Sequence, residues 1–268
     1  MKAVINNSLT HYIDIGISTA LPVILIHGFP FSHKMWMMPG GQTEALAGTY
    51  HVIAYDVRGH GESEVGDGLY TIEFFADDLI GLMDHLNVQQ AVVVGLSMGG
   101  YIALRAMQKK PERFKGLVLC NTRADADSNE SKIKRAGAIR AIKTNGPRLF
   151  AQELVKNLFA PQSLETKQNA VKLIESTIER TAPLALCGTE LALASRIDST
   201  PSLSAINIPT LVMTGELDTI APPEINKAIK DAISNAEFFA IPKAAHLSNL
   251  ENADEFNKHL VEFLQKLV

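Results

Sequence analysis

Two kinds of hydrophobic run divide this chain. Short, nearly continuous apolar runs occur at Pro22–Ile26, His51–Tyr55, Ala91–Val94, Gly116–Cys120, Pro209–Gly215 and Glu237–Ile241. Runs of this length, closed by turns that carry Gly, Pro, Asp or Asn, read as strands, and the unbroken run before Gly95 as a buried one. Between them apolar residues recur at helical spacing. Ile72, Phe75, Leu79, Leu82, Met83 and Leu86 predict a helix over Thr71–Leu86, and a further helix is predicted from the Phe31–Met38 cluster on to Leu46. Tyr101-Ile102-Ala103-Leu104 opens another helix, which Pro111 ends. Residues 1–20 mix polar and β-branched positions and read as an antiparallel edge hairpin. Alternating strands and helices predict a mostly parallel sheet with helices on both faces.

The alternation stops at Asn121. From there to about Thr200 the pattern is helical throughout, with predicted helices from Asp127 or Ser128 to Asn145, Pro147 to Phe159, Ser163 to Glu179 and Pro183 to Ala194. Ser128 offers a cap at the start of the first, and Asn145-Gly146-Pro147 stops it. A helical block between two strand-bearing halves reads as a cap inserted over one edge of the sheet. The expected organisation is therefore a core of residues 1–121 and 201–268, with a helical cap at 122–200. Pro222-Pro223 opens a late helix, and Asn252 with Glu255 reads as a capping box on the last one, whose buried face is Phe256, Leu260, Phe263 and Leu264.

The candidate chemistry lies in the turns after the strands. Gly95-Leu96-Ser97-Met98-Gly99 follows a strand and precedes a helix, a context that puts Ser97 at the apex of a sharp turn. Small residues are needed at 95 and 99 because larger side chains would collide with the neighbouring strand and helix. The N–H of Met98 at the helix start, and that of Phe29 in the turn His27-Gly28-Phe29-Pro30, are candidates to hold a developing oxyanion. A serine hydroxyl is a poor nucleophile near neutrality and needs a base. His246 follows the last strand and Asp218 the one before it, so the three residues occur in the order Ser, Asp, His. Asp198 competes as the acid, but it leaves a helix, whereas the loop of Asp218 directly follows a strand. His27 reads as a brace for its own turn and His60 as structural. Asp56 and Arg58 are expected to tie their Gly-rich loop together as an ion pair, and Met35 to Met38 with Trp36 to belong to the core ahead of lining a pocket.

Composition narrows the partners. At 268 residues and 46% hydrophobic content the chain can build one full core. With 25 Lys and Arg against 29 Asp and Glu, a net charge of −4 offers no basic stripe for nucleic acid or anionic lipid. The first residues lack the build of a signal peptide, and no apolar run approaches the roughly 20 residues of a spanning helix. A cytoplasmic protein, monomeric or homodimeric, is expected. Cys120 and Cys187 show no metal-ligand spacing and are expected as buried free thiols, and neither metal nor organic cofactor is implied.

His27-Gly28-Phe29-Pro30, Asp56-Val57-Arg58-Gly59-His60-Gly61-Glu62-Ser63, Gly95-Leu96-Ser97-Met98-Gly99-Gly100, Gly215-Glu216-Leu217-Asp218 and Ala245-His246-Leu247 together resemble the α/β-hydrolase superfamily over nearly the whole chain. Within it the chain is similar to small bacterial carboxylesterases and 3-oxoadipate enol-lactonases. The resemblance implies Ser97 as nucleophile, Asp218 as acid, His246 as base and the Phe29 and Met98 amides as oxyanion hole. The implied activity is hydrolysis of a small carboxylic ester through an acyl-enzyme. Lactone hydrolysis is the alternative, and a ligand-sensing protein on the same scaffold a more distant one. An enol-lactone carries a free carboxylate and would want an arginine from the cap, for which Arg123, Arg135, Arg140, Arg148, Arg180 and Arg196 are candidates. Ala245 stands where the family commonly has glycine, a difference expected to be tolerated unless that residue needs a positive φ.

Overall fold

Val92, Val93 and Val94 are fully buried, yet they belong alternately to two different hydrophobic cores. Side chains alternate across a strand, so a strand with no polar face must be covered on both sides. The computed structural model, which describes residues 1–268, shows how. Eight strands, β1 (Lys2–Ile5), β2 (Ser8–Gly16), β3 (Pro22–Ile26), β4 (His51–Tyr55), β5 (Ala91–Leu96), β6 (Phe114–Cys120), β7 (Thr210–Gly215) and β8 (Ala236–Ile241), form one sheet in the order β1-β2-β4-β3-β5-β6-β7-β8. β1 and β2 form an antiparallel hairpin at one edge, and β2 also pairs antiparallel with β4. Every other pairing is parallel.

The helices are α1 (Gln42–Ala47), α2 (Ile72–His85), α3 (Met98–Lys109), α4 (Asn129–Asn145), α5 (Pro147–Leu158), α6 (Pro161–Thr166), α7 (Gln168–Arg180), α8 (Pro183–Ser195), α9 (Pro223–Ala232), α10 (Ser248–Glu251) and α11 (Ala253–Gln265). One core holds Ile24, Ile26 and Val93 against α2, α3 and α9; the other holds Val23, Leu25, Val92 and Val94 against α1 and α11. Met35 and Trp36 sit in the second core. Five helices, α4 to α8, run between β6 and β7, with α4 packed on α8 and α5 packed on α7. No helix is long and apolar enough to cross a membrane.

Four local expectations are corrected. The helix toward Leu46 is broken: a 3-10 turn over His33–Trp36 is separated from α1 by Pro39 and by Gly40 at φ +72. The helix expected over Ser163–Glu179 is two, α6 and α7, because Lys167 at φ −109 and ψ 41 leaves the helical region. Only half the capping box forms. Asn252 accepts from the Glu255 N–H, while the Glu255 carboxylate turns outward to Lys258 and His259. Of the two thiols Cys120 is buried, but Cys187 is partly exposed.

The fifth correction concerns the loop after β4. Asp56 does not pair with Arg58. Its Oδ1 accepts the His33 N–H at 2.7 Å and lies 2.8 Å from His33 Nδ1, and its Oδ2 accepts the Glu62 N–H at 2.9 Å. With both oxygens engaged, Arg58 turns to Asp78 with contacts of 2.9 and 2.8 Å. Burial alone would raise the Asp56 pKa, but the hydrogen bond and charge of His33, the charge of His27 and the Glu62 amide hold it down to about 2. A depressed carboxylate stabilises the fold above its unfolded value near 4 and loses that contribution as pH falls toward about 2. Asp56→Asn is therefore expected to cost roughly 2 kcal/mol at pH 7 and to flatten the stability loss between about pH 4 and pH 2, as read from urea unfolding across that range.

Candidate active site

Ser97 is a non-glycine residue at φ 54 and ψ −115, immediately between β5 and α3. Such a conformation costs on the order of 1–3 kcal/mol and persists only where the surroundings enforce it. Here they do. A Cβ at position 95 would lie 2.3 Å from the Gly99 carbonyl oxygen, and one at 99 would lie 2.3 Å from that of Ile26. The two glycines let strand, turn and helix approach within backbone contact. The Thr122 hydroxyl donates to the Ser97 carbonyl at 2.7 Å and holds the turn from the side.

Three expected residues meet at this turn. Ser97 Oγ lies 2.9 Å from His246 Nε2, and His246 Nδ1 lies 2.9 Å from Asp218 Oδ2. His246 and Asp218 are both buried. Burial would raise the Asp218 pKa, but the charge and hydrogen bond of His246, the Ala221 amide and Asn121 hold it down to about 2. An ionised Asp218 can only accept, so Nδ1 carries the imidazole proton and Nε2 presents a lone pair to the serine hydroxyl. The Met98 N–H is at the first turn of α3, where helix amides have no intrahelical partner. Phe29, across from it after β3, lines the same cavity as Ser97, Met98 and His246.

The competing residues are placed elsewhere. Asp198 is exposed and accepts from the Thr200 amide. His27 braces its turn as expected, with Nδ1 2.8 Å from the Gly28 carbonyl and Nε2 accepting the Val57 N–H at 2.9 Å. His60 is buried against His27 and Phe29, and burial pushes its pKa down to about 3, so it is held neutral. Ala245 has no positive φ, which explains why glycine is not required there. His11, His33 and Asp56 offer ligand atoms within 4.8 Å of one another, but the Asp56 oxygens are already taken by N–H donors.

A cavity of about 460 Å³ opens over Ser97 and His246. Phe29, Phe150, Leu154, Leu158 and Leu193 give it an apolar wall, with Lys134, Arg135 and Glu190 on α4 and α8 as its charged part. Of the six candidate arginines only Arg135 reaches it. Arg135 donates to Asp127 and, at 2.8 Å, to Glu190, and Asp127 is also paired with the buried Arg196. Two cations therefore balance two carboxylates. Lys134 is exposed.

Comparison with known proteins decides the family. The family model described as the alpha/beta hydrolase fold matches residues 22–253. The chain belongs to the α/β-hydrolase family. Among α/β hydrolases of known structure it is similar to a thermophilic esterase from Thermogutta terrifontis, solved with malate bound, at 36% identity and a TM-score of 0.93 over 100% of this chain and 98% of that one. It is also similar to the enol-lactonase from Burkholderia xenovorans, at 31% identity and a TM-score of 0.92 over 99% and 100%. 3-Oxoadipate enol-lactonase 2 of Acinetobacter baylyi is 29% identical over 256 residues, 96% of this chain and 92% of its own length.

Sequence reasoning missed one polar residue of this α/β-hydrolase site. Asn121, directly after β6 at φ 48, donates to Asp218 Oδ2 at 2.8 Å and to the Ala245 carbonyl at 3.0 Å. Its own oxygen accepts from Ser248 at 2.5 Å. An asparagine directly after a strand, a residue type that tolerates the left-handed region, was the available signal.

Proposed function

We propose that this α/β hydrolase is a carboxylesterase acting on small, mainly apolar esters. The observation that carries the reading is the unbroken hydrogen-bond chain Ser97 Oγ, His246, Asp218 beneath an apolar cavity. His246 Nε2 takes the serine proton as Oγ attacks the ester carbonyl, and the Phe29 and Met98 amides receive the charge on the tetrahedral oxygen, each such donor being worth about 3 kcal/mol of barrier. His246 then protonates the leaving alkoxide. Water, deprotonated by the same nitrogen, hydrolyses the acyl-enzyme and frees Ser97. The helices α4 to α8 act as the cap, with α4, α5 and α8 shaping the pocket.

Lactone hydrolysis is the second reading, supported by the enol-lactonase relatives. The charge balance around Arg135 favours the ester. Its guanidinium is committed to Asp127 and Glu190, so a substrate carboxylate would gain little net attraction, and Lys134 is exposed to solvent that screens it. A p-nitrophenyl ester with a neutral butyryl group is expected to exceed one with an added terminal carboxylate by roughly tenfold in kcat/KM, the scale of a single pocket discrimination. Preference for the acidic ester, together with turnover of an enol-lactone, would overturn the assignment in favour of lactone hydrolysis.

A further inference from the structure

Glu251 is a buried carboxylate on α10 outside the Ser97, His246 and Asp218 chain, and it joins two segments that belong to different parts of the molecule. Its Oε1 accepts the N–H of Ala245, the residue before His246, at 2.8 Å. Its Oε2 accepts the N–H of Ala160, at the junction of α5 and α6 in the helical insertion, at 2.7 Å. A second tie runs alongside: the His246 N–H itself donates to the carbonyl of Leu158, the last residue of α5, at 3.1 Å. Leu158 and its α5 neighbours Phe150 and Leu154 line the cavity over Ser97.

We infer that Glu251 is a positioning residue, which fastens the His246 loop to the end of α5 so that the wall contacting the acyl group and the base acting on Ser97 move as one body. The inference rests on the proposed esterase reading for its kinetic consequence, though not for its mechanics. Buried carboxylate-to-amide bonds are strong and directional, and both carboxylate oxygens are needed because each accepts a different amide. A glutamine can satisfy only one of them with its carbonyl oxygen; its NH2 group meets the other N–H donor to donor. A displacement of about 1 Å at a catalytic group can cost on the order of 100-fold in rate.

The test counts active sites before it measures rate. Wild type, Glu251→Gln, Glu251→Ala and Ala160→Pro are titrated with a p-nitrophenyl phosphonate, and kcat is expressed per phosphonylated Ser97. Ala160 has φ −60 and Phe159 is extended at φ −110 and ψ 148, so proline fits the backbone at 160, where it replaces the N–H that Glu251 holds by a ring CH2 that pushes the carboxylate away. The expected kcat per site falls about tenfold in Glu251→Gln and Ala160→Pro and about 100-fold in Glu251→Ala, with KM within about twofold. Hydrogen exchange at the His246 amide is expected to quicken in all three. A purely structural role would lower the melting temperature or the titratable fraction and leave kcat per site unchanged, which overturns the inference. Should the Glu251 variants fail to fold, Ala160→Pro decides by the same readings. If the wild type is not phosphonylated at Ser97, the esterase reading fails, and the exchange of the His246 amide still decides whether Glu251 holds that loop.

Discussion

Replacing Ser97 by alanine is expected to lower turnover of p-nitrophenyl butyrate by about 10⁶-fold, the scale at which a nucleophile acting as one unit with its base is lost. The reason is local. The hydroxyl removed is the one atom that both contacts His246 Nε2 and stands free of its own backbone at the apex of the turn. The methyl side chain inherits the same φ, so the strain at position 97 is unchanged. Stability should move by about 1 kcal/mol or less, the worth of the single side-chain hydrogen bond that is lost. Parallel initial rates and thermal melts check both parts. Turnover surviving at more than about 1% of wild type, from a folded protein, would mean that the chemistry lies elsewhere.

Asp218→Asn is expected to cost roughly 10⁴-fold in kcat while leaving the fold intact. Here the surroundings dictate which way the new amide points. The N–H groups of Ile220 and Ala221 donate to Oδ1 at 2.8 and 3.0 Å, so the asparagine carbonyl must take that position. Its NH2 group then occupies the place of Oδ2, where it faces both His246 Nδ1 and the Asn121 NH2. Donating to Nδ1 moves the imidazole proton to Nε2, where it points at the serine hydroxyl and can accept nothing from it. Phosphonylation of Ser97 should slow in proportion to kcat. If it keeps the wild-type rate, Asp218 does not govern the tautomer. Although burial opposes it, the charge and hydrogen bond of His246 hold the Asp218 carboxyl down to about 2, so it is expected to stay ionised from about pH 7 to pH 4 and a fall in activity across that range is assigned to another group.

Much of this was readable before the structure, and for definite physical reasons. Five of the six parallel strands were legible because burial on both faces leaves an uninterrupted apolar run, β8 at the sheet edge being only partly covered, and the turns after them because glycine and proline punctuate the chain. Ser97, Asp218 and His246 could be picked out because each follows such a strand, and parallel strands deliver their following turns to one edge. What failed depended on partners distant in sequence. Asp56 and Arg58 are two residues apart and of opposite charge, but His33 and Asp78 arrive from other elements and separate them. Asn121 and Glu251 look like ordinary polar residues until their partners are in place, since Asp218 and Ala160 lie 97 and 91 positions away. The break at Lys167 had no glycine or proline to announce it.

The strand order also carries a consequence for the growing chain. β3, β4, β5 and β6 are adjacent in the sheet and end by Cys120, so the residues of the serine turn are synthesised early. The residues that face it come at the other end. β7 and β8, which introduce the Asp218 and His246 loops, add to the sheet only after the long helical insertion, and Glu251 follows later still. A domain folds as a unit, so the early and late segments have to meet before the site exists. A chain that stops before residue 246 lacks both the His246 contact to Ser97 and the α11 side chains Phe256, Leu260, Phe263 and Leu264 that cover one face of the sheet, so the partner of the serine turn and the cover of its strand arrive in the same late stretch.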